Sequence, residues 1–256
     1  MNVNKALWVS FFWVAAALLF NAGIYVCQGQ QKAMEFLAGY LVELSLSVDN
    51  IFVFLLIFAY FKVPLQEQSK VLFWGVLGAQ LMRAVFIFLG VALLNHFQWL
   101  MYIFGAFLVF TGFKLSLEKE KEIRPENNLV LKASKKFFPG LGKFWIVLIV
   151  IETTDLVFAV DSIPAILAIT KDPFIVYSSN IFAILGLRAM YFALAGLMRL
   201  FHHLHYALGA ILVFVGIKML LEHYVHIPIA AALGFIGIAL SMAISSSLLF
   251  PKKNEI

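Results

Sequence analysis

Polar side chains interrupt this chain seldom, and where they do they separate long apolar runs. The runs predict eight membrane-crossing helices at about 6–27, 35–61, 70–94, 98–117, 144–170, 177–199, 204–222 and 228–249. Each is near the ~20 residues needed to cross roughly 30 Å of hydrocarbon as helix. Barrel strands would instead read as short alternating segments. The first run, "ALWVSFFWVAAALLFNAGIYVC", is longer than the ~7–15 apolar residues of a signal peptide and is expected to remain as a span.

Composition agrees with an all-α, polytopic membrane protein. The 256 residues are 63% hydrophobic and 13% charged, about half the ~25% charge that clothes a soluble domain. The stretch 119–143 carries seven Lys or Arg and is expected to lie in the cytoplasm by the positive-inside rule. Lys5, Lys62, Lys70, Arg199, Lys252 and Lys253 then fall on the same side, and Lys32, Lys171 and Lys218 on the other. Both termini are therefore expected to be cytoplasmic. The net charge of +5 is an orientation signal, so the expected partner is the lipid bilayer and not nucleic acid. A single cysteine, Cys27, excludes an intrachain disulfide and a thiolate cluster.

The apolar background hides a duplication. "GAFLVFTGFKLSLE" (105–118) aligns without gaps to "GAILVFVGIKMLLE" (209–222), with nine of fourteen positions identical. "ELSLSVDNI" from Glu43 aligns to "DLVFAVDSI" from Asp155, and Arg83 in "LMRAVF" to Arg188 in "GLRAMY". Three matches in one order define two units. The expected organisation is a first transmembrane helix (1–30), repeat one of three helices (34–118), a basic linker (119–143), repeat two (144–223) and a last helix (227–250). Three is odd, so the second unit is inverted, and sites in inverted repeats lie where the units meet near the midplane. Lys114 and Lys218 are each expected to snorkel to water at a helix end, on opposite faces.

Both units put acids in their first span: Glu43 and Asp49 followed by Asn50, then Glu152, Asp155 and Asp161 followed by Ser162. Five acids facing lipid would cost on the order of 10 kcal/mol on insertion scales. They must face one another, a cation or water. At 100° per residue Glu43, Ser47 and Asn50 form one stripe, with Asp49 about 120° away; Glu152, Asp155 and Ser162 form another, with Asp161 apart. Either the helices break near the acids, as Pro164 would allow, or Asp49 and Asp161 meet across the repeat axis. Arg83 and Arg188 are the counter-charges, and five carboxylates against two guanidiniums leave an excess of three negative charges. Mutual pairing alone would make the groups structural; the surplus favours a divalent cation or protons. Oxygen donors of this kind suit Mg²⁺, Ca²⁺ or Mn²⁺ and not copper(I). Two histidine groups, His202/His203/His205 and Glu222/His223/His226, could serve as weak metal stops but are more simply interfacial.

"FLAGYLVELSLSVDNIFVFLLIF", "YIFGAFLVFTGFK", "VFAVDSIPAILAITKDPFIVYSSNIFAILGLRAMYFALAGLM" and "ILVFVGIKML" resemble the TerC family, in particular its Alx-like branch, over about residues 34–245. The resemblance implies a bacterial inner-membrane protein of the lysine-exporter superfamily, named for tellurium resistance, that exports Mn²⁺ or supplies metal to proteins outside the cytoplasm. The family's acidic positions correspond to Glu43, Asp49, Asn50, Glu152, Asp155, Asp161 and Ser162. Against some relatives the chain is expected to lack a further N-terminal span and to have a shorter central loop. Tellurite is an anion, which surplus carboxylates would repel. The expectation is a non-enzymatic Mn²⁺ exporter with no tightly bound cofactor, coupled to protons through its own carboxylates. Asp49 and Asp161 would be central ligands; Glu43, Glu152 and Asp155 would complete the site or carry protons. Asn50 and Ser162 would be neutral ligands, and Arg83 and Arg188 would tune charge. The alternatives are a non-transporting scaffold that helps metallate or assemble exported proteins, and a membrane redox modulator linked to tellurium resistance. Transport direction, coupling ion and oligomeric state are left open by the sequence.

Overall fold

Where side chains are apolar on nearly every face, the backbone must satisfy its own hydrogen bonds, and helix is the local way to do so. The computed structural model describes residues 3–97, 99–117, 142–194, 204–225 and 227–249, apart from the side chains at 3–6, 48, 49, 52, 56, 187–190, 192–194 and 248. Within them lie eight helices: α1 (Val3–Gln28), α2 (Gln30–Tyr60), α3 (Leu65–His96), α4 (Leu100–Leu117), α5 (Lys143–Leu167), α6 (Pro173–Leu194), α7 (Leu204–Leu221) and α8 (Ile229–Leu249). No strand occurs among the described residues. Five segments are long and apolar enough to cross a membrane: Leu7–Gln28, Leu65–His96, Leu100–Leu117, Leu204–Leu221 and Ile229–Ser247. The fold is thus a polytopic helical membrane protein. Most of the basic linker, 118–141, lies outside the described residues.

The bundle has two ends. At the linker end α2 stops, α3 starts and α5 starts; Lys143 Nζ donates to the Lys62 carbonyl at 2.9 Å. At the turn end lie the α1–α2 turn at Gly29, the α5–α6 turn, the end of α7 and the start of α8. α2 and α6 pack side by side, as do α3 and α5, while α1 covers α2 and α6 and α8 covers α7 and α2.

The closest helix pair is α4 with α7. A Cβ added to Gly105 would lie 3.0 Å from the Gly216 carbonyl, and one added to Gly216 2.7 Å from the Gly105 carbonyl. Gly112 and Gly209 meet in the same way, at 2.6 and 2.7 Å from each other's carbonyl oxygen. In the sequence alignment Gly105 matches Gly209, and Gly112 matches Gly216. The alignment therefore maps the Gly105–Gly216 contact onto the Gly209–Gly112 contact, the reciprocity that a twofold relation produces. Lipid tails are as apolar as leucine, so such pairs are held by van der Waals contact, and glycine lets the backbones approach far enough to maximise it.

Neither acid-bearing helix is broken. α5 runs through Asp161 and Pro164 to Leu167. The proline removes one bond, its own to the Val160 carbonyl, and the helix runs on past it to Leu167.

Candidate cation centre at Arg83

The predicted polar stripes are buried except at Glu152, which is half-buried. Glu43 and Ser47 are fully inaccessible, and Asn50, Asp155 and Ser162 are buried beside them. What joins the two units is Arg83 of α3, itself 1% exposed. Its Nε and Nη2 donate to Asp155 Oδ2 and Oδ1 at 3.1 and 3.2 Å. Its Nη1 donates to Glu43 Oε1. Glu43 and Asp155 are the aligned acids of the two repeats, so one guanidinium holds a pair of equivalent carboxylates where the units meet. The planar fork of arginine suits two carboxylates at once, which lysine's point charge would not.

The pairing leaves a surplus. One guanidinium against two carboxylates leaves one negative charge, and Glu152 adds a second from one turn earlier on α5. Its carboxylate packs directly on Gly78 of α3, where a Cβ would collide with it. Glu43 Oε2, Glu152 Oε2 and Ser47 Oγ are buried with no hydrogen-bond partner among the described residues. Ser162 lies beside Glu43. Buried oxygens left unpaired cost about 1–3 kcal/mol each, more when charged, so among the described residues, to which the Arg188 side chain does not belong, this centre is short of positive charge and of donors.

Asp161 is turned elsewhere. It lies beside Thr111 and Lys114 of α4, on a different face of α5 from Asp155, as its position off the stripe predicted. The structure does not bring it to the Arg83 centre. The side chains of Asp49 in α2 and Arg188 in α6 lie outside the described residues, and so does their part in the expected Asp49–Asp161 meeting. Among the described residues no three His, Cys, Asp or Glu side chains gather as a ready metal cage. The expected snorkelling of the two lysines differs between copies. Lys114 is exposed, but Lys218 is buried, donating to the Ala168 carbonyl at 2.9 Å and facing Glu222 at 3.6 Å. The α5–α6 turn covers Lys218 and supplies that carbonyl, replacing water. Of the histidines, His205 stacks near Tyr206 with ring centroids 3.9 Å apart and His223 is exposed. His202, His203 and His226 lie outside the described residues.

Sequence reasoning missed Glu35 and Gly78. Glu35 is buried at the turn end of α2, where Thr170 Oγ1 donates to its Oε2 at 2.6 Å and Lys32 Nζ donates at 3.0 Å. Lys32 Nζ also meets Asp172 Oδ2 at 3.0 Å. The signal was present: Glu35, Gly39 and Glu43 recur every four residues along one helical stripe. Gly78 has no such signal, since only the facing Glu152 gives it meaning.

A family described as "Integral membrane protein TerC family" matches residues 28–255. The chain belongs to the TerC family. Among its relatives, a Myxococcus xanthus protein named "Uncharacterized membrane protein STKORF319" is 46% identical over 237 residues, covering 86% of this chain and 74% of the relative. Proteins of Salmonella typhi and Escherichia coli strain K12, each named "Putative membrane-bound redox modulator Alx", are 46% identical over 250 residues, covering 86% of this TerC chain and 77% of theirs. No solved structure matches it.

Proposed function

We propose that this TerC-family protein transports divalent metal cations, exporting Mn²⁺ in exchange for protons. The observation that carries the proposal is the charge balance at the repeat interface. Among the described residues two aligned carboxylates share one guanidinium, a third makes no ion pair beside Gly78, and buried oxygens of Glu43 and Glu152 accept no hydrogen bond. Structural ion pairs need no such surplus, because an unpaired buried charge only costs stability. Intramembrane carboxylates of this kind mark ion paths.

Carboxylate and hydroxyl oxygens are hard donors, the class that binds Mn²⁺, Mg²⁺ and Ca²⁺; the choice of Mn²⁺ among them rests on the family resemblance. The cation would take the oxygens that Arg83 leaves free on Glu43 and Glu152, with Asp155, Ser47, Asn50 and Ser162 around them. Asp49 and Asp161, the second aligned pair, would serve the path beside α4 and α7. Protons released by the carboxylates as metal binds would supply the antiport. In this proposal the protein catalyses no covalent reaction and holds no tightly bound cofactor. It sits in the bacterial inner membrane with both termini cytoplasmic, as the Lys/Arg distribution favours.

Purified protein in lipid vesicles tests it. Mn²⁺ should move across the vesicle membrane with the wild-type chain, and should move much more slowly with Glu152→Gln or Asp155→Asn that still fold. A scaffold would move none, and that result overturns the proposal. A redox role, the one in the Alx relatives' name, would appear as thiol or electron exchange by the same vesicles without cation flux.

A further inference from the structure

On α2, Glu35, Gly39 and Glu43 follow one another up a single stripe. Glu35 lines a cavity of about 800 Å³ at the turn end, walled by Lys32, Thr170, Asp172, Lys218 and Glu222. Glu43 belongs to the Arg83 centre. Between them stands Gly39, one turn from each. A Cβ built on it would lie 2.9 Å from Ser179 Oγ, 3.4 Å from Ser179 Cβ and 3.6 Å from Ile166 Cγ2. Here α2, α5 and α6 close on one another, and Ser179 and Ile166 are fully buried.

Towards the linker end the centre is sealed by an apolar cluster that includes Phe54, Ile57, Phe58, Val71 and Leu72. Towards the turn end the contact of Gly39 with Ser179 and Ile166 lies between the centre and the cavity, in a buried apolar layer with Ala38, Leu167 and Val176. The next residue along each helix carries a buried polar group with no partner among the described residues: the Tyr40 hydroxyl after Gly39, and both amide atoms of Asn180 after Ser179. Dry, each costs about 1–3 kcal/mol; the cost is relieved if α2 and α6 part and water enters. A closed contact between two helices that each carry such a group is suited to opening by shear.

We propose that the contact of Gly39 with Ser179 and Ile166 is the gate of the cation path at the turn end, separating the Glu35 vestibule from the Arg83 centre. The gate rests on the transport function proposed above. Gly39 matters because it carries no side chain, so α2 can seat on α6 when shut and slide off without a rotamer change.

The Cβ separation of 3.4 Å is near the range that a disulfide bridges, and Cys27 is the chain's only cysteine. The test is therefore Gly39→Cys with Ser179→Cys in a Cys27→Ser background, in vesicles loaded with Mn²⁺. Reduced protein should carry Mn²⁺, oxidation should cut the flux to that of empty vesicles, and a reductant should restore it. Flux unaffected by a disulfide that mass spectrometry verifies overturns the gate while leaving transport intact. Absence of flux in the wild-type chain overturns transport instead, and the gate is then judged by thiol labelling. Gly39→Cys and Ser179→Cys, each alone, should react far more slowly with a water-borne maleimide than Gln31→Cys in the vestibule wall. Equal rates overturn the gate.

Discussion

Among the described residues the same device appears at two levels of the bundle, a cation held between a carboxylate of α2 and one of α5 or the turn that follows it. Deep in the bundle Arg83 bridges Glu43 of α2 and Asp155 of α5. At the turn end Lys32 bridges Glu35 of α2 and Asp172 of the α5–α6 turn, at 3.0 Å to each. The buried bridge uses the planar, forked cation, the outer one the flexible point charge. Their surroundings differ as sharply. Arg83 is 1% exposed in its side chain, whereas those of Lys32 and Asp172 are 31% and 26% exposed. In a low dielectric, ions without partners are costly and pairs are strong; at a wet surface both terms shrink. The inner bridge should therefore hold the fold and poise the site, while the outer one should only bias the closed position of the turn end.

The largest test of that contrast is Arg83→Ala. It leaves Glu43 and Asp155 buried together without a counter-charge, and breaking a buried pair in this way costs about 3–5 kcal/mol. A marked fall in the Tm of the detergent-purified protein, or failure to accumulate in the membrane, is expected. Arg83→Lys should recover part of the loss, because charge returns but the bidentate geometry does not. If Arg83→Ala and Lys32→Ala cost the same, burial is not what distinguishes the bridges.

Second in size is Gly78→Ala. Its methyl group would push aside the Glu152 carboxylate, and because that group is the end of a flexible side chain the cost should be at the low end of overpacking, about 1 kcal/mol. The equivalent position in repeat two is Ala183, and the equivalent of Glu152 in repeat one is Tyr40. The glycine thus makes room for an acid that only one repeat carries. A Glu152→Ala change should rescue Gly78→Ala in a double-mutant cycle of thermal stability; simple additivity would mean that the two do not touch.

These contacts mark how far the sequence alone could go. The helices were legible because hydrocarbon thickness and apolar run length fix each other, and the duplication because "GAFLVFTGFKLSLE" and "GAILVFVGIKMLLE" share a register. The burial of Glu43, Ser47, Asp155 and Ser162, and the separation of Asp161, followed from helical angle. Which acid meets which base did not, because helical angle fixes a face and leaves the partner helix open. The sequence offered two arginines and five acids; that Arg83 spans both repeats depends on how α3 lies against α5. Glu35 was passed over because it stands where a span starts, and terminal acids are usually solvated.

Lys32→Ala should be the mildest change, about 0–1 kcal/mol and weaker in high salt. Its pH dependence sharpens the comparison. At Asp172, burial works to raise the pKa, but the hydrogen bond and charge of Lys32 and the N–H groups of Ile175 and Phe174 outweigh it and hold the carboxyl below the usual 3.8. At Lys32, burial works to lower the pKa, but its bonds to Asp172 and Glu35 hold it above the usual 10.5. The aspartate's share of stability is present above its unfolded pKa and lost as pH falls through the lower folded one. The lysine's share is present below its unfolded pKa and lost as pH rises through the higher folded one. The Tm difference between the wild-type chain and Lys32→Ala should therefore be flat from about pH 5 to 9 and fade outside that range. A difference that changes between pH 6 and 8 would mean that the outer bridge is coupled to another titrating group, and that the two bridges are not independent.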